Sequence, residues 1–153
     1  MKTLTIATTL CFAFFAGSAG AAPEPTEKDA IAMVERGAAL IKSQGAGALV
    51  KKINAKDAEY VRGALYIDMR DLYTGIVLAH PINSSIVGKD LTDVPDASGK
   101  TYRREIIELA QKSGKGWVEY QYKNPVSGKI EPKNTYILRV DDVVLEAGIY
   151  RKQ

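Results

Sequence analysis

The groups that could hold a small anion crowd into one stretch, "WVEYQYKNPVSGKIEPK", from Trp117 to Lys133. It holds the only Trp, two of the eight Tyr and three Lys. A small carboxylate brings one negative charge, two acceptor oxygens and a short apolar tail. A pocket for it needs a cation, one or two hydroxyl donors and aromatic walls. In "WVEYQY", strand alternation sends Trp117, Glu119 and Gln121 one way and Val118, Tyr120 and Tyr122 the other. Each Tyr can bury its ring while its hydroxyl reaches inward. Lys133 falls across the turn from them. A buried ammonium without a partner loses its proton or costs several kcal/mol, and a ligand carboxylate removes that penalty. Ordinary sheet packing competes with this reading, because Tyr and Trp are preferred strand residues.

Other groups carry weaker signals. His80 is the only histidine and could titrate near neutral pH, although a lone His at a strand end before Pro81 also suits a structural role. Arg103 and Arg104 open a helix, and one guanidinium of the pair could grip a carboxylate with two parallel bonds. Tyr102 and Arg103 are the expected contributors from that helix, and a solvent-facing pair is the alternative. Asp90, Asp93 and Asp96 recur every third residue, whereas a calcium loop needs acids at every second position and a later Glu. They are expected to end turns and pair with Lys89 and Lys100, and no metal site is expected. Asp68 and Glu119 read as strand surface charges. No nucleophile elbow, no second His and no thiol outside the first residues is present, so no enzyme is expected. No cofactor motif stands out.

These groups need elements to position them. Thr26, with Asp29 three residues on, caps a helix, and Ala30, Met33, Val34, Gly37, Leu40 and Ile41 recur at helical spacing as far as Gly45. "GALVKKINAKD" reads as a second, shorter helix. The period then changes to two: "LYIDM" and "IVLAH" form a hairpin about Gly75. About 20 irregular residues follow, a length usually functional or mobile. "TYRREIIELAQKSGKG" is an amphipathic helix ended by Gly114. "WVEYQY", a strand entered at Pro132, and "VVLEAGIY" complete the pattern. Strands joined by short turns imply an antiparallel sheet of about five strands, with helices on one face and the insertion on the other. The class is α+β.

The chain has 153 residues, which suggests one domain. Lys2, an apolar run from Leu4 to about Phe15 and Ala19-Gly20-Ala21 read as a signal peptide over residues 1–21, followed by a linker over 22–27. The run is too short to span a bilayer, which takes roughly 20 residues. Cys11, the only cysteine, lies inside it, so a mature chain has no disulfide and no Cys metal site. An exported domain without disulfides suits a periplasm. Removal of Lys2 leaves 20 basic against 18 acidic residues, interspersed, with no block that argues for nucleic acid or an anionic membrane.

"GIVLAHPINSSIVGKDLTDVPDASGK", "GKGWVEYQYKNPVSGKIEPKNTYI" and "EAGIY", in that order, resemble the single Cache domain. This is the extracytoplasmic sensor module of bacterial chemoreceptors and sensor kinases. The likeness runs from about Lys28 to Tyr150, and the domain is placed at 28–153. It implies a PAS-like fold: a long N-terminal helix and a five-stranded antiparallel sheet with a pocket on one face. It implies a small organic acid as ligand, singles out Tyr120 with Lys133, and keeps Tyr122, Trp117, His80, Tyr102 and Arg103 as further candidates. No second membrane helix and no kinase, cyclase or methyl-accepting domain follows Tyr150 in this sequence. The expectation is therefore a freestanding periplasmic binder that acts on a separate receptor or sensor kinase. The rival expectation is an interaction module without a small ligand. For it, an exposed Met33, Val34, Leu40 and Ile41 stripe would be the clue, and homodimerisation through the N-terminal helix is its simplest form.

Overall fold

The computed structural model describes residues 24–151. The signal peptide expected over 1–21 lies outside them. Helix α1 spans Glu27–Gln44 and starts at a reciprocal cap, in which Thr26 Oγ1 accepts from Asp29 N while the Asp29 carboxylate accepts from Thr26 N. Gly45, at φ 82°, turns the chain into α2, Ala46–Asn54. The strands are β1 (Val61–Arg62), β2 (Leu65–Asp71) and β3 (Val77–Ala79) before helix α3 (Tyr102–Ser113), and β4 (Lys115–Lys123), β5 (Ile130–Val140) and β6 (Val143–Tyr150) after it. All pairings are antiparallel, in the order β1-β2-β6-β5-β4, with β3 also bound to β2.

The sheet holds six strands rather than five, because the two residues of β1 extend β2 at its edge. Pro132 lies inside β5, not at its entry. It is tolerated because β6 first pairs with β5 at Lys133, so no ladder bond is demanded of the missing N–H.

Alternation sorts β2, β4, β5 and β6 onto two faces. Leu65, Ile67, Met69, Tyr136, Leu145 and Ala147 turn toward α1 and α2 and build a dry core with Ala30, Met33, Val34, Leu49 and Ile53. Met33 and Val34 are fully buried and Ile41 nearly so, which means the apolar stripe of α1 is spent on its own sheet. Gly37 makes this approach possible, since a Cβ there would sit 2.8 Å from Ile67 Cδ1.

The opposite face carries α3 and the irregular segment before it. Ile106 and Ala110 of α3 cover Leu72, Val118, Ile137 and Val144. The segment is stapled rather than loose. Asp96 accepts from the backbone N–H groups of Ser98, Lys100 and Gln121, the last on β4. Those bonds outweigh its partial burial and hold the carboxyl down at about 2. Lys100 Nζ adds a bond to Glu119 O at 2.7 Å. Asp90 ends a turn on Thr92 as expected, but Asp93 pairs with Arg104 rather than with a lysine.

Candidate functional site

Under the α3 end of that lid, one patch of sheet is lined by polar groups. Tyr66, Asp68 and Arg70 come from the lid-facing side of β2, Glu146 from β6, Lys133 from β5, and Tyr120 and Tyr122 from β4. His80, just after β3, and Tyr102 and Arg103, the first residues of α3, close the ring with Ile86. They enclose a cavity of about 10 Å³, room for one water.

Lys133 is the centre of this arrangement. It stands opposite Tyr120 on β4 and Tyr150 on β6, and its side chain is 1 % exposed. Its Nζ lies 3.9 Å from the Tyr66 ring centroid, 5.4 Å from Tyr122 and 5.3 Å from Tyr150. These rings attract a cation but accept no ordinary hydrogen bond. Among the described residues its ammonium has neither a hydrogen-bond nor an ion-pair partner. Burial pulls it down to about 8, against the through-space pull of Asp68 and Glu146. Gly148 gives its stem room: a Cβ there would overlap Thr135 Oγ1 and lie 2.6 Å from Lys133 Cε.

Arg70 and Glu146 form the second unit. Arg70 donates through Nε to Glu146 Oε1 and through Nη2 to Oε2, the latter at 3.1 Å, with both residues buried. Burial pushes the Glu146 carboxyl up, and the two-pronged guanidinium opposes it and keeps the pair ionised. Arg70 Nη1 remains without an acceptor, as does the Tyr66 hydroxyl. The Tyr150 hydroxyl gives its own proton to Lys123 O and keeps its lone pairs, so it is the neighbour able to accept from Tyr66.

His80 is fixed differently from the sequence expectation. Its Nδ1 accepts from the backbone N–H of Ile82 at 3.2 Å and of Asn83 at 3.0 Å. A protonated imidazole has no acceptor to offer, so this geometry requires the neutral ring with its proton on Nε2. Burial, and then the nearby Lys133 charge, lower its pKa to about 3. His80 does not titrate near neutral pH; it lies against Tyr66 at 5.2 Å as a fixed neutral group.

The aromatic wall is continuous. Tyr102 stacks on Tyr120 at 3.7 Å between centroids, and Tyr122 meets both edge-on. Thr135 Oγ1 donates to the Tyr120 hydroxyl at 3.0 Å, leaving that hydroxyl its own proton to give. Arg103 is buried, donates to Val94 O at 3.2 Å and rests over the Tyr102 ring. Arg104 faces solvent.

Six of the seven sequence candidates therefore meet: Tyr120, Lys133, Tyr122, His80, Tyr102 and Arg103. Trp117 does not. It points to the α1 side and packs against Tyr136 at 5.2 Å, as its place in the alternation requires. Reading the sequence missed Tyr66, Asp68, Arg70, Thr135 and Glu146. Asp68 is buried, 7 % exposed, and not a surface strand charge. The available signal was charge at alternate positions within otherwise apolar strands, "LYIDMRD" and "VVLEAGIY". Such a face needs buried partners.

A wider cleft of about 760 Å³ opens between β1 and the β4–β5 turn, lined in part by Tyr150. Its acids are already engaged: Asp29 with Thr26, and Glu131 with Asn124 and Ser127. Arg70 Nη1 and the Lys133 ammonium, without acceptors among the described residues, lie in the smaller cavity.

The family model of single Cache domain 2 matches residues 27–152. The chain belongs to the single Cache domain family. Similar folds occur in a methyl-accepting chemotaxis protein from Vibrio parahaemolyticus RIMD 2210633, at 25% identity and TM-score 0.70, over 81% of this chain and 87% of that one. The periplasmic sensor domain of a chemotaxis protein matches at 24% identity and TM-score 0.65, over 82% and 90%. A Cache chemosensory domain studied for carboxylic acid recognition matches at 20% identity and TM-score 0.63, over 82% and 88%. Cache domains are sensory modules rather than catalysts. In this one, no described helix is long and apolar enough to cross a membrane, and the described residues form no cluster suited to a metal ion.

Proposed function

We propose that this Cache domain is a periplasmic sensor module that binds a small organic acid of two to four carbons and passes the signal to a separate receptor or sensor kinase. One observation carries the reading. The Lys133 ammonium and Arg70 Nη1, both buried, lack acceptors at the same cavity. Such a surplus of buried donors is costly unless an anionic acceptor joins them. The stacked Tyr102 and Tyr120 supply an apolar wall for a short tail. The carboxylic acid recognition of the structural relative is of the same chemical class. The leader pattern over residues 1–21 supports the periplasmic placement.

The cavity has room for about one water, so an acid is admitted only as the side chains around it give way, which favours the smallest ligands. At about −1.5 kcal/mol per heavy atom, a four-atom acid reaches at best roughly −6 kcal/mol, or tens of micromolar. A calorimetric screen of C2–C4 monocarboxylates tests the reading. Binding in that range by at least one acid, lost in Lys133→Met with the fold retained, is expected; silence across the panel sinks it. The interaction-module alternative loses its clue, because Met33, Val34 and Ile41 are covered by the domain's own sheet.

A further inference from the structure

We propose that Asp68 shares a proton with the ligand's carboxylate, so that this pocket takes up its acid together with one proton from solution. The inference rests on the carboxylate reading above and concerns what regulates that same site.

The geometry is that of one cation facing two carboxyl groups. Asp68 stands directly across from Glu146 in the β2–β6 register, on the same face of the sheet. Glu146 is committed to the Arg70 fork. Asp68 has no hydrogen-bond or ion-pair partner among the described residues, yet it is buried and lines the cavity beside Lys133. Arg103 is turned to Val94 O and the Tyr102 ring on the lid side. The Lys133 ammonium and the free Arg70 Nη1 are therefore the cationic donors left for an incoming carboxylate, and both line the cavity with Asp68. Two carboxylates confined together do not both ionise at neutral pH, and one proton between them replaces repulsion by a short charge-assisted hydrogen bond. Asp68 is the member that takes it, because the double bond from Arg70 keeps Glu146 charged.

Every titratable or charged group facing Asp68 has a defined state in the window that matters. Arg70 on its own strand and Arg103 on α3 are fixed charges. His80 is neutral by its hydrogen bonds. Burial pushes the Tyr66, Tyr102, Tyr120 and Tyr122 hydroxyls up, so they stay protonated. Burial also raises Asp68, against the pull of Lys133, Arg70 and Arg103. Lys133, at about 8, is charged below neutral pH. Between about pH 5.5 and 7 a free ligand acid is itself ionised, and Asp68 is the carboxyl lining the cavity that no donor holds ionised.

The experiment is calorimetry with acetate, or propionate where acetate gives no heat, on the full-length protein across that window. It is run in two buffers of different ionisation enthalpy. Wild type is expected to take up protons on binding, approaching one per acid toward the upper end of the window as the empty pocket's Asp68 ionises, and to lose up to about tenfold in affinity per pH unit there. Asp68→Asn, whose amide donates at every pH, is expected to bind with less than about a twofold change across the window and to take up none. Zero uptake with a flat wild-type profile overturns the proposal, and so does an Asp68→Asn profile as steep as wild type. Should Asp68→Asn fail to fold, the wild-type proton count decides alone. No heat with either acid at any pH removes the carboxylate reading itself, and this inference falls with it.

Discussion

The two faces of the sheet are built from alternate residues of the same strands, yet they have opposite chemistry. On β2, Leu65, Ile67 and Met69 enter the dry core under α1, while Tyr66, Asp68 and Arg70 enter the pocket under α3. On β6, Leu145 and Ala147 face one way and Glu146 the other. All are buried. Burial alone therefore does not separate scaffold from site. What separates them is whether each buried group finds its complement inside the protein. The α1 face is complete in itself; among the described residues, the α3 face leaves an ammonium and a guanidinium nitrogen without acceptors, and a carboxyl without donors.

The first way to break this contrast is Glu146→Ala. It strands the buried Arg70 charge and is expected to destabilise by about 3–5 kcal/mol, as much as removing a core side chain from the other face. Paired urea titrations of Glu146→Ala and Ile67→Ala compare the two directly. A loss under about 1 kcal/mol for Glu146→Ala would mean that the pocket face tolerates unpaired charge.

The second is the pH dependence of Lys133. Its pKa in the folded chain is about 8, below that of an unfolded lysine. Between the two values the unfolded chain holds the proton that the native state has released. Stability therefore rises as pH climbs from about 8 toward 10, by on the order of 2 kcal/mol. The buried tyrosines, held protonated in the native state, pull the other way near pH 10, so the measure is the stability of wild type relative to Lys133→Met, which should rise between urea titrations at those two pH values.

Gly148→Ala sharpens the comparison at a single methyl group. A Cβ there collides with Thr135 Oγ1 and Lys133 Cε, so about 1–3 kcal/mol should be lost, with acid binding weakened as Lys133 shifts. The smallest test sets Tyr120→Phe against Trp117→Phe. Tyr120→Phe removes the Thr135 hydrogen bond, about 1 kcal/mol, and should weaken acid binding several-fold. Trp117→Phe, on the α1 side, should leave affinity within about twofold and appear only in stability.

Much of this was legible beforehand because its causes are local. The Thr26–Asp29 cap, the 3.6-residue period of α1 and the turn at Gly75 all act within a few residues. Alternation in "WVEYQY" put Tyr120 and Tyr122 on one face, and the same rule already argued against Trp117. Asp68 was misread, and Arg70 and Glu146 were overlooked, because exposure is not a local property. Asp68 looks like a solvated strand charge until β6 sets Glu146 opposite it and α3 seals the space above. His80 shows the same limit, since its neutrality is imposed by two backbone N–H groups of the chain that turns back on it.

The sequence by itself determined the α+β class, the three helices, five of the six strands and the face on which their residues stand. Those follow from backbone periodicity and capping. Only the tertiary structure decided that Lys133 has no acceptor, that Asp68 and Glu146 face each other, and that Arg70 serves one of them and not the other. Such pairings join strands that are dozens of residues apart. The pairing register and the placement of the lid fix which charges are satisfied, and with them the groups left over to receive a ligand.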